Sequence, residues 1–254
     1  MLAGIASSAL LGFQGRSAAA NTYIEIKTWR FHNSEENQAA RVADYLEKGL
    51  GPAIGRAGGR LVGAFSNVIG PDGPYYVTLS EYASLAILQD VSGKIFEDEA
   101  HERELRKLSA GPGLPFVRVE SSLLRSFNGM PEVRVPNSAE KRPPRIFELR
   151  TYESQTFLTL ARKIGMFNEG EMQIFERLGM RPVFFGETII GPKQPNLMYM
   201  LSFDDLSERD RLWHVFGMDA EWKKLSSQPQ LKDAEIVSNI SNVILRPLTF
   251  SIIR

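Results

Sequence analysis

The chain contains no cysteine among its 254 residues. It therefore has no disulfide bond, no thiolate nucleophile, and none of the sites in which cysteine holds zinc or an iron–sulfur cluster. Histidine is also scarce, because the only three are His32, His101 and His214, and they form neither an HxH nor an HxxxH pair. We therefore predict no metal and no cofactor, and leave His101 and His214 as weak candidate ligands.

An excess of either charge is missing as well. Thirty basic residues balance thirty acidic ones, and no long run carries a single sign. A nucleic-acid surface normally needs a basic patch that displaces counterions from phosphates. We therefore predict that the protein has no nucleic-acid partner.

Familiar catalytic motifs are absent too. The glycine-rich stretch from Gly49 to Gly59 follows a predicted helix, whereas the dinucleotide fingerprint needs a strand before its glycine turn. The sequence contains neither GxxxxGK[ST] nor GxSxG. Phosphate transfer and serine hydrolysis are therefore poorly supported.

The apolar stretch at the N-terminus is too short to cross a membrane. Residues Leu2 to Phe13 are apolar and uncharged, about 12 residues against the roughly 20 that a bilayer requires. A short apolar stretch that leads to small residues, here Ala18 to Ala20, is typical of a secretory signal and its cleavage site. The stretch resembles the part of a bacterial twin-arginine signal that follows the arginines. We expect a signal-like segment at 1–21, a mature chain that begins near Asn21, and export to the periplasm or another extracytoplasmic place. The alternative is a cytoplasmic protein with an ordinary N-terminal helix or tail.

One short pattern occurs twice in the chain. Glu25–Trp29 and Glu148–Tyr152 both have the order Glu, aliphatic, basic, Thr, aromatic, and they lie 123 residues apart (148 − 25). Three later pairs of segments recur at a spacing of 121 residues: VIGP with IIGP, YASL with FDDL, and SLLRS with VILRP. A constant register over several landmarks predicts an internal duplication. We divide the chain into unit 1 (22–127), a Pro-, Gly- and charge-rich linker (128–144), and unit 2 (145–254).

Each unit is predicted to have the order β-α-β-β-α-β, which is the ferredoxin-like order. Alternating residues indicate strands, and apolar residues at steps of three and four indicate helices, such as the stripe of Ile164, Phe167 and Phe175 before Gly179. After the first strand and helix of each unit, the predicted strands are 61–69, 75–82 and 116–124 in unit 1, and 183–190, 197–203 and 236–245 in unit 2.

A ferredoxin-like unit covers one face of its sheet with helices and leaves the other face bare. In the first strand of unit 2, Phe147 and Leu149 alternate with Glu148 and Arg150. We assign the apolar pair to the helix-covered core, so that the charged pair faces the other unit. The predicted fold is α+β, in which two tandem ferredoxin-like units pack sheet to sheet as a pseudo-dimeric α–β barrel.

Five segments resemble the NIPSNAP family of the dimeric α–β barrel superfamily. They are FELRTY (147–152), LGM (178–180), IIGP (189–192), WHVFGMDAEW (213–222) and LRPLTFS (245–251). The resemblance covers nearly all of Tyr23 to Arg254 in two copies, and unit 2 is the closer copy. Unit 1 departs from it, since His101 stands where unit 2 has Trp222, and LRP is replaced by LRS.

The resemblance implies a bacterial protein with two tandem NIPSNAP-like domains. Eukaryotic members of the family are implicated in vesicle and mitochondrial biology, whereas bacterial members mostly lack an assigned reaction. Superfamily relatives include haem-degrading and antibiotic-biosynthesis monooxygenases and small isomerases. The fold therefore does not decide the function.

The first strands supply the main candidate site residues. If they face the barrel interior, their charges must be paired, because an unpaired buried charge is costly. Such a set could form a polar ligand cavity with Glu25 or Glu148 as a general acid or base, or a structural ion-pair network between the sheets. The candidates are Glu25, Lys27, Trp29, Glu148, Arg150 and Tyr152; weaker ones are His101, His214, Asp219 and Trp222. The helix that carries the tryptophans is better explained as core than as a substrate site, and no catalytic residue is assigned.

Two functions remain open. The first is a binding, assembly or stress-related barrel that self-associates and takes a small hydrophobic ligand. The alternative is an enzyme without a bulky cofactor, similar to a monooxygenase or isomerase, that acts on a small hydrophobic substrate in the barrel cavity. The lack of a concentrated catalytic set favours the first. A filled barrel would support the first function, and an open aromatic pocket with a shifted carboxylate would support the second.

Overall fold

A computed structural model describes residues 21–33, 35–135 and 143–254. Nearly all of the predicted signal-like segment and the second part of the predicted linker lie outside the described residues. Within the described ranges, no helix is both long enough and apolar enough to cross a membrane.

Unit 1 has the predicted order of strands and helices. One turn of π-helix, Leu46–Leu50, joins its first two helices into one continuous helical segment. Its elements are β1 (Tyr23–Arg30), α1 (Gln38–Tyr45), α2 (Gly51–Arg56), β2 (Arg60–Ile69), β3 (Tyr75–Tyr82), α3 (Leu85–Lys94), α4 (Glu99–Ala110) and β4 (Arg118–Ser126).

Unit 2 has the same order. A π-helical turn, Phe167–Glu171, again joins the first two helices, and a short helix is added before the last strand. Its elements are β5 (Ile146–Glu153), α5 (Phe157–Met166), α6 (Met172–Arg177), β6 (Arg181–Ile190), β7 (Asn196–Phe203), α7 (Leu206–Met218), α8 (Ala220–Ser226), α9 (Asp233–Ile236) and β8 (Asn239–Pro247).

Equivalent positions in the two units lie 121 residues apart from the first helices onward. Phe167 begins the second π-helical turn and Leu46 begins the first (167 − 46 = 121). The same spacing relates Gly58 and Gly179, which follow the first helical segments with φ of 103° and 83°. A position in unit 2 can therefore be compared directly with its counterpart in unit 1.

The eight strands form one closed barrel. Their order around the barrel is β1-β3-β2-β8-β5-β7-β6-β4. Each unit therefore contributes four strands in the order of a ferredoxin-like sheet, β4-β1-β3-β2 and β8-β5-β7-β6. Hydrogen bonds join the units at both edges, where β2 pairs with β8 and β4 pairs with β6. The barrel leaves neither sheet with a free edge.

Three apolar cores fill the part of the molecule that the structure describes. One core lies between the sheet and the helices of each unit. The third lies inside the barrel and contains residues from both units, among them Ile24, Phe65, Phe147 and Leu149. The rings of Phe65 and Phe147 meet there with their centroids 5.0 Å apart. Both faces of each sheet are thus covered by apolar packing.

The segment that follows the last strand of each unit binds the other unit. The amide of Arg134 donates to the carbonyl of Val183 (2.8 Å), and the amide of Ile253 donates to the carbonyl of Val62 (3.0 Å). Val133 and Ile253 are buried in the barrel interior. The first part of the predicted linker, 128–135, therefore packs against the barrel.

The last strand of each unit begins two or three residues later than predicted. Ile236 was predicted to open the last strand, but it ends α9, and β8 begins at Asn239. The amide of Val237 donates to the carbonyl of Asp233, which closes a helical turn and buries Ile236 completely. An apolar residue can be buried by a helical turn as well as by a strand, so the pattern did not distinguish them. In unit 1 the last strand begins at Arg118 instead of Phe116.

Candidate functional site

The charged residues of the first strands face the helices and not the barrel interior. Trp213 on α7 donates its indole N–H to Glu148 (2.8 Å), while Phe147 and Leu149 belong to the core inside the barrel. The predicted alternation along the strand is correct, but the assignment of its two sides was wrong. All of the main candidates lie on the helix-covered faces: Glu25, Lys27, Trp29, Glu148, Arg150 and Tyr152.

The helix-covered face of unit 2 provides partners that the barrel interior does not. Arg209 and Trp213 on α7 both reach Glu148, and Lys163 on α5 lies over the same sheet. Both units share the barrel interior, and Phe147 and Leu149 are part of the apolar core that fills it. A charged residue can be buried at moderate cost only where partners are present. This explains why the charged pair of the first strand faces the helices.

The two predicted ion pairs are both present, with different burial. Arg150 lies 2.7 Å from Glu148, whose side chain is completely buried. Lys27 lies 3.0 Å from Glu25, and its side chain is 32% exposed. The pair of unit 2 is therefore the more strongly shielded from water.

Glu148 accepts hydrogen bonds from four residues. Arg209 donates twice (2.7 and 2.9 Å), Arg150 and Asn242 each donate at 2.7 Å, and Trp213 donates at 2.8 Å. Burial alone would raise the pKa of the Glu148 carboxyl, but the hydrogen bond from Arg209 and the charge of Arg150 bring it below its ordinary value. Glu148 is thus held as a carboxylate and is poorly suited to take up a proton near neutral pH.

A second buried ion pair lies nearby. The ammonium of Lys163 on α5 is 3.0 Å from the carboxylate of Glu171 in the π-helical turn, and both side chains are almost completely buried. Asp233 lies 3.7 Å from the same ammonium, which is also 5.5 Å from the ring centre of Trp222. Burial would lower the pKa of Lys163, but the charges of Glu171 and Asp233 outweigh it and raise the pKa. Lys163 is therefore protonated at neutral pH.

Two tyrosines lie between the ion pairs. Tyr199 donates to the hydroxyl of Tyr152 (2.8 Å), which also accepts from Arg150 (3.1 Å). The Arg150 guanidinium stacks 4.5 Å from the ring centre of Trp213, and its Nε is buried without a hydrogen-bond partner in the described structure. These contacts join the residues into what we call the unit-2 cluster: Glu148, Arg150, Tyr152, Lys163, Glu171, Tyr199, Arg209 and Trp213.

Unit 1 builds the same fold without most of this cluster. At the 121-residue spacing, Lys163 corresponds to Val42 and Glu171 corresponds to Leu50, both buried and apolar. The fold therefore does not require this buried ion pair. Three further members of the cluster, one on β7 and two on α7, correspond to unit 1 residues that cannot carry charge. They are Tyr199, which corresponds to Thr78, Arg209, which corresponds to Leu88, and Trp213, which corresponds to Ser92.

The weaker candidates do not come together. His101 is buried in unit 1, where its ring nitrogens bond Tyr45 (2.8 Å) and the carbonyl of Ile95 (2.6 Å). His214 is exposed, and Asp219 accepts from amides at the start of α8 and pairs with Arg177. Only Trp222 touches the unit-2 cluster, through Lys163. In the described ranges, no three His, Asp or Glu side chains are placed to hold a metal ion.

A separate cavity opens at one end of the barrel, and we call it the barrel-end cavity. Its volume is about 540 Å³, and both units line it. Its apolar walls come from Ile26, Val77, Leu149, Met198 and Val243. Equivalent positions contribute in pairs: Ile26 with Leu149, Thr28 with Thr151, Val77 with Met198, and Pro71 with Pro192.

The charges around this cavity are paired with one another at its rim. Arg30 donates to Glu120 (2.9 Å) and stacks 4.8 Å from the ring centre of Tyr75. Lys193 lies 3.4 Å from the hydroxyl of Ser241 and 3.8 Å from Glu153. Sequence reasoning missed the cavity because it placed the other face of β1 and β5 inside the barrel. The threonine that recurs in the two first strands, as Thr28 and Thr151, was the sequence signal for this cavity.

A closed eight-stranded sheet made by two βαββαβ units, with the helices outside, defines a dimeric α–β barrel protein in which one chain supplies both halves. The NIPSNAP family model matches residues 147–252, which is nearly all of unit 2. The chain therefore carries a NIPSNAP domain as its second unit.

Solved structures share the fold over nearly the whole chain. A candidate monooxygenase from Lactobacillus acidophilus NCFM matches with a TM-score of 0.59 and 12% identity, covering 89% of this chain and 94% of its own. A candidate monooxygenase from Fusobacterium nucleatum matches with a TM-score of 0.59 and 8% identity, covering 91% and 94%. At these identities the likeness shows the fold alone.

A NIPSNAP-like domain protein from Burkholderia xenovorans is 22% identical over 43% of this chain and 90% of its own, with a TM-score of 0.38. A search of curated proteins found no significant match.

Proposed function

We propose that the protein binds a small, mainly apolar ligand in the barrel-end cavity. The observation that carries the proposal is the cavity itself, about 540 Å³ in volume and lined by equivalent positions of both units. Ligand sites are typically about 300–1,000 Å³, mainly apolar, with a few polar groups. The barrel-end cavity has these properties.

The filled interior of the barrel bounds the cavity on one side. Val133 and Ile253, from the segments that follow the two last strands, are buried in the interior core. The apolar side chains of that core fill the barrel beyond the cavity, and the hairpin residues Pro71 and Pro192 lie at its rim. A ligand would therefore bury most of its surface between the two units, which favours apolar molecules.

The groups at the cavity favour binding over catalysis. The carboxyl lining it in the described structure is Glu120, whose pKa is lowered by the hydrogen bond from Arg118 and by Arg30. A general base works best when its pKa lies near the working pH, and this carboxylate is shifted in the opposite direction. The proposal is therefore a binding barrel rather than an enzyme acting in this cavity.

Binding of the neutral fluorescent dye phenylnaphthylamine tests the proposal. Met198→Trp would fill the cavity, because Met198 lines it. Met218→Trp is the matched control, since Met218 is exposed on α7. We expect dye binding by the wild type and the control, and its loss in Met198→Trp. Equal binding by all three, or no binding by the wild type, would refute the proposal.

The unit-2 cluster supports a second candidate function, an enzyme without a bulky cofactor that resembles a monooxygenase or isomerase. The specific observation is that unit 2 buries Lys163 and Glu171 where unit 1 has Val42 and Leu50. A buried ion pair that the fold can replace by apolar residues is a reasonable functional candidate.

The apolar residues of unit 1 provide the test of this second function. The double variant Lys163→Val/Glu171→Leu and the wild type are each incubated with the same extract of apolar metabolites. A compound consumed only by the wild type, as detected by mass spectrometry, would support an enzyme. Identical product profiles would count against it.

Self-association is a further part of the proposed function. The closed barrel offers no sheet edge for pairing, so a second copy would bind through helix or loop surfaces, such as the exposed Phe157 and Leu158 at the start of α5. Light scattering on purified protein, compared between the wild type and Phe157→Ser/Leu158→Ser, would measure this. A monomeric wild type would exclude self-association.

Export is proposed on the sequence of the N-terminal segment. Asn21 bonds the carbonyl of Ser126 (2.6 Å), and Thr22 bonds the carbonyl of Pro131. A chain processed near Ala20 would keep these contacts. N-terminal sequencing of protein from the native host would check the start, and an intact Met1 in the cytoplasmic fraction would contradict export.

A further inference from the structure

We infer that the ligand of the barrel-end cavity is uncharged and carries two oxygen atoms, one at each end, that bond Thr28 and Thr151. This inference rests on the proposed binding of a ligand in the cavity. It adds the chemical class of that ligand.

The two threonines occupy equivalent positions on opposite walls. Thr28 follows the inward-facing Ile26 by two residues on β1, and Thr151 follows the inward-facing Leu149 by two on β5. In the ring of eight strands, β1 and β5 are separated by three strands on either side. Their side chains therefore approach the cavity from opposite directions. Both threonines line it.

Their hydroxyl groups are available polar groups of the cavity, as is the hydroxyl of Ser122 on β4. Among the hydrogen bonds of the described residues, none involves the hydroxyl of Thr28 or Thr151. Asn196 also lines the cavity, but its amide is already bonded to Thr188 (2.7 Å) and to the carbonyl of Pro192 (3.0 Å). A hydroxyl shielded from water and left without a partner is costly. A ligand that covered the cavity would need to satisfy both threonines.

A charged group would find no counterpart inside. The walls next to the threonines are Val77, which pairs with Thr28, and Met198, which pairs with Thr151. The cations at the rim are already paired, Arg30 with Glu120 and Lys193 with Glu153. Moving an ion into apolar surroundings without a partner is strongly unfavourable. The ligand class is therefore a neutral molecule with an apolar centre and an oxygen at each end.

A matched series of linear probes tests this class. Octanediol with a hydroxyl at each end, octanol and octanoate are each used to displace phenylnaphthylamine from the wild type. The variants are Thr28→Val and Thr151→Val, which keep the shape of the side chain and remove the hydroxyl, and their double variant. Thr249→Val is the control, because Thr249 is exposed and does not line the cavity.

We expect octanediol to bind the wild type more tightly than either other probe. Each valine should weaken octanediol binding by about two- to tenfold, the range for one lost hydrogen bond, and the double variant should show both losses. The Thr249→Val control should bind octanediol as tightly as the wild type does.

The inference is overturned if the diol binds no better than octanol, if octanoate binds best, or if both valine variants leave diol binding unchanged. In each of those cases the dye still binds and the proposed binding function stands. Failure of the dye to bind the wild type would instead refute the binding function itself.

Discussion

The ammonium of Lys163 lies 3.0 Å from the carboxylate of Glu171, at two positions where the other half of the chain has Val42 and Leu50. All four side chains are buried. The molecule thus contains an ion pair and its apolar replacement in equivalent surroundings, which makes the stability of the pair directly testable.

We predict that Lys163→Val or Glu171→Leu alone destabilises the protein by about 3–5 kcal/mol, because each leaves one buried charge without its main partner. The double variant should cost much less, since it recreates the packing of unit 1. Urea denaturation followed by far-UV circular dichroism would measure the three values. A double variant as unstable as the sum of the singles would show that unit 2 cannot adopt the packing of unit 1.

The two ion pairs of the first strands should differ in strength. Arg150→Ala is expected to cost about 3–5 kcal/mol, because it leaves the fully buried Glu148 with fewer donors. Lys27→Ala, the equivalent change in unit 1, should cost about 0–1 kcal/mol, since that pair is partly exposed. Denaturation midpoints of the two variants would compare them. Equal effects would mean that burial does not distinguish the pairs.

Glu148 should contribute to the acid sensitivity of the protein. Its folded pKa is lowered, chiefly because the hydrogen bond from Arg209 and the charge of Arg150 overcome the effect of burial. Its stabilising contribution is therefore complete above its unfolded pKa of about 4.3 and is lost as the pH falls through the lower folded pKa. Glu148→Gln should be less stable at pH 7.

The variant should also lose less stability than the wild type below about pH 4. Some acid sensitivity should remain in it, because the hydrogen bond from Arg56 lowers the pKa of Asp98 to about 2. Urea denaturation at a series of pH values would show how the free energy of unfolding depends on pH for the wild type and for the variant. Parallel curves for the wild type and Glu148→Gln would contradict the prediction.

Two glycines should respond in opposite directions to alanine. Gly179 has φ of 83°, where a side chain costs about 1–2 kcal/mol, so Gly179→Ala should destabilise. Gly217 lies in α7, and an added methyl group would meet no atom within 4 Å. Gly217→Ala should stabilise by up to about 1 kcal/mol. Thermal unfolding of both variants would test the signs, and a stabilising Gly179→Ala would contradict the conformation after α6.

The order of strands and helices and the pairs Glu148–Arg150 and Glu25–Lys27 could be predicted from the sequence. Whether these pairs face the helices or the barrel interior could not. Alternation identifies residues that share a side of a strand, and it identifies the buried side only when the other side meets water. Here helices cover one side and the second unit covers the other. Both sides contain apolar residues, so the alternation does not show which side faces the helices and which faces the barrel interior.

The unit-2 cluster was predictable only in part. Glu171 stands in an apolar helical stripe, and a charge in such a stripe is a signal for a buried partner. Its partner Lys163 lies eight residues earlier (171 − 163), and Glu171 itself ends the π-helical turn Phe167–Glu171. Spacing rules for a regular α-helix pair residues three or four apart, so they do not find this contact. The barrel-end cavity is lined by strands of both units, so finding it required the closed barrel to be known.

The segments that follow β4 and β8 have a consequence for a broken chain. Arg134 binds the backbone of Val183, and Ile253 binds the backbone of Val62, so each half contributes a piece to the other. Two fragments made by proteolysis between the halves would remain associated as a non-covalent pair. A gene for unit 2 alone would yield a subunit with two unpaired sheet edges, β6 and β8, and it should assemble with a second copy of itself. Such a homodimer would have two identical halves, and its cavity would then be lined twice by the residues of unit 2.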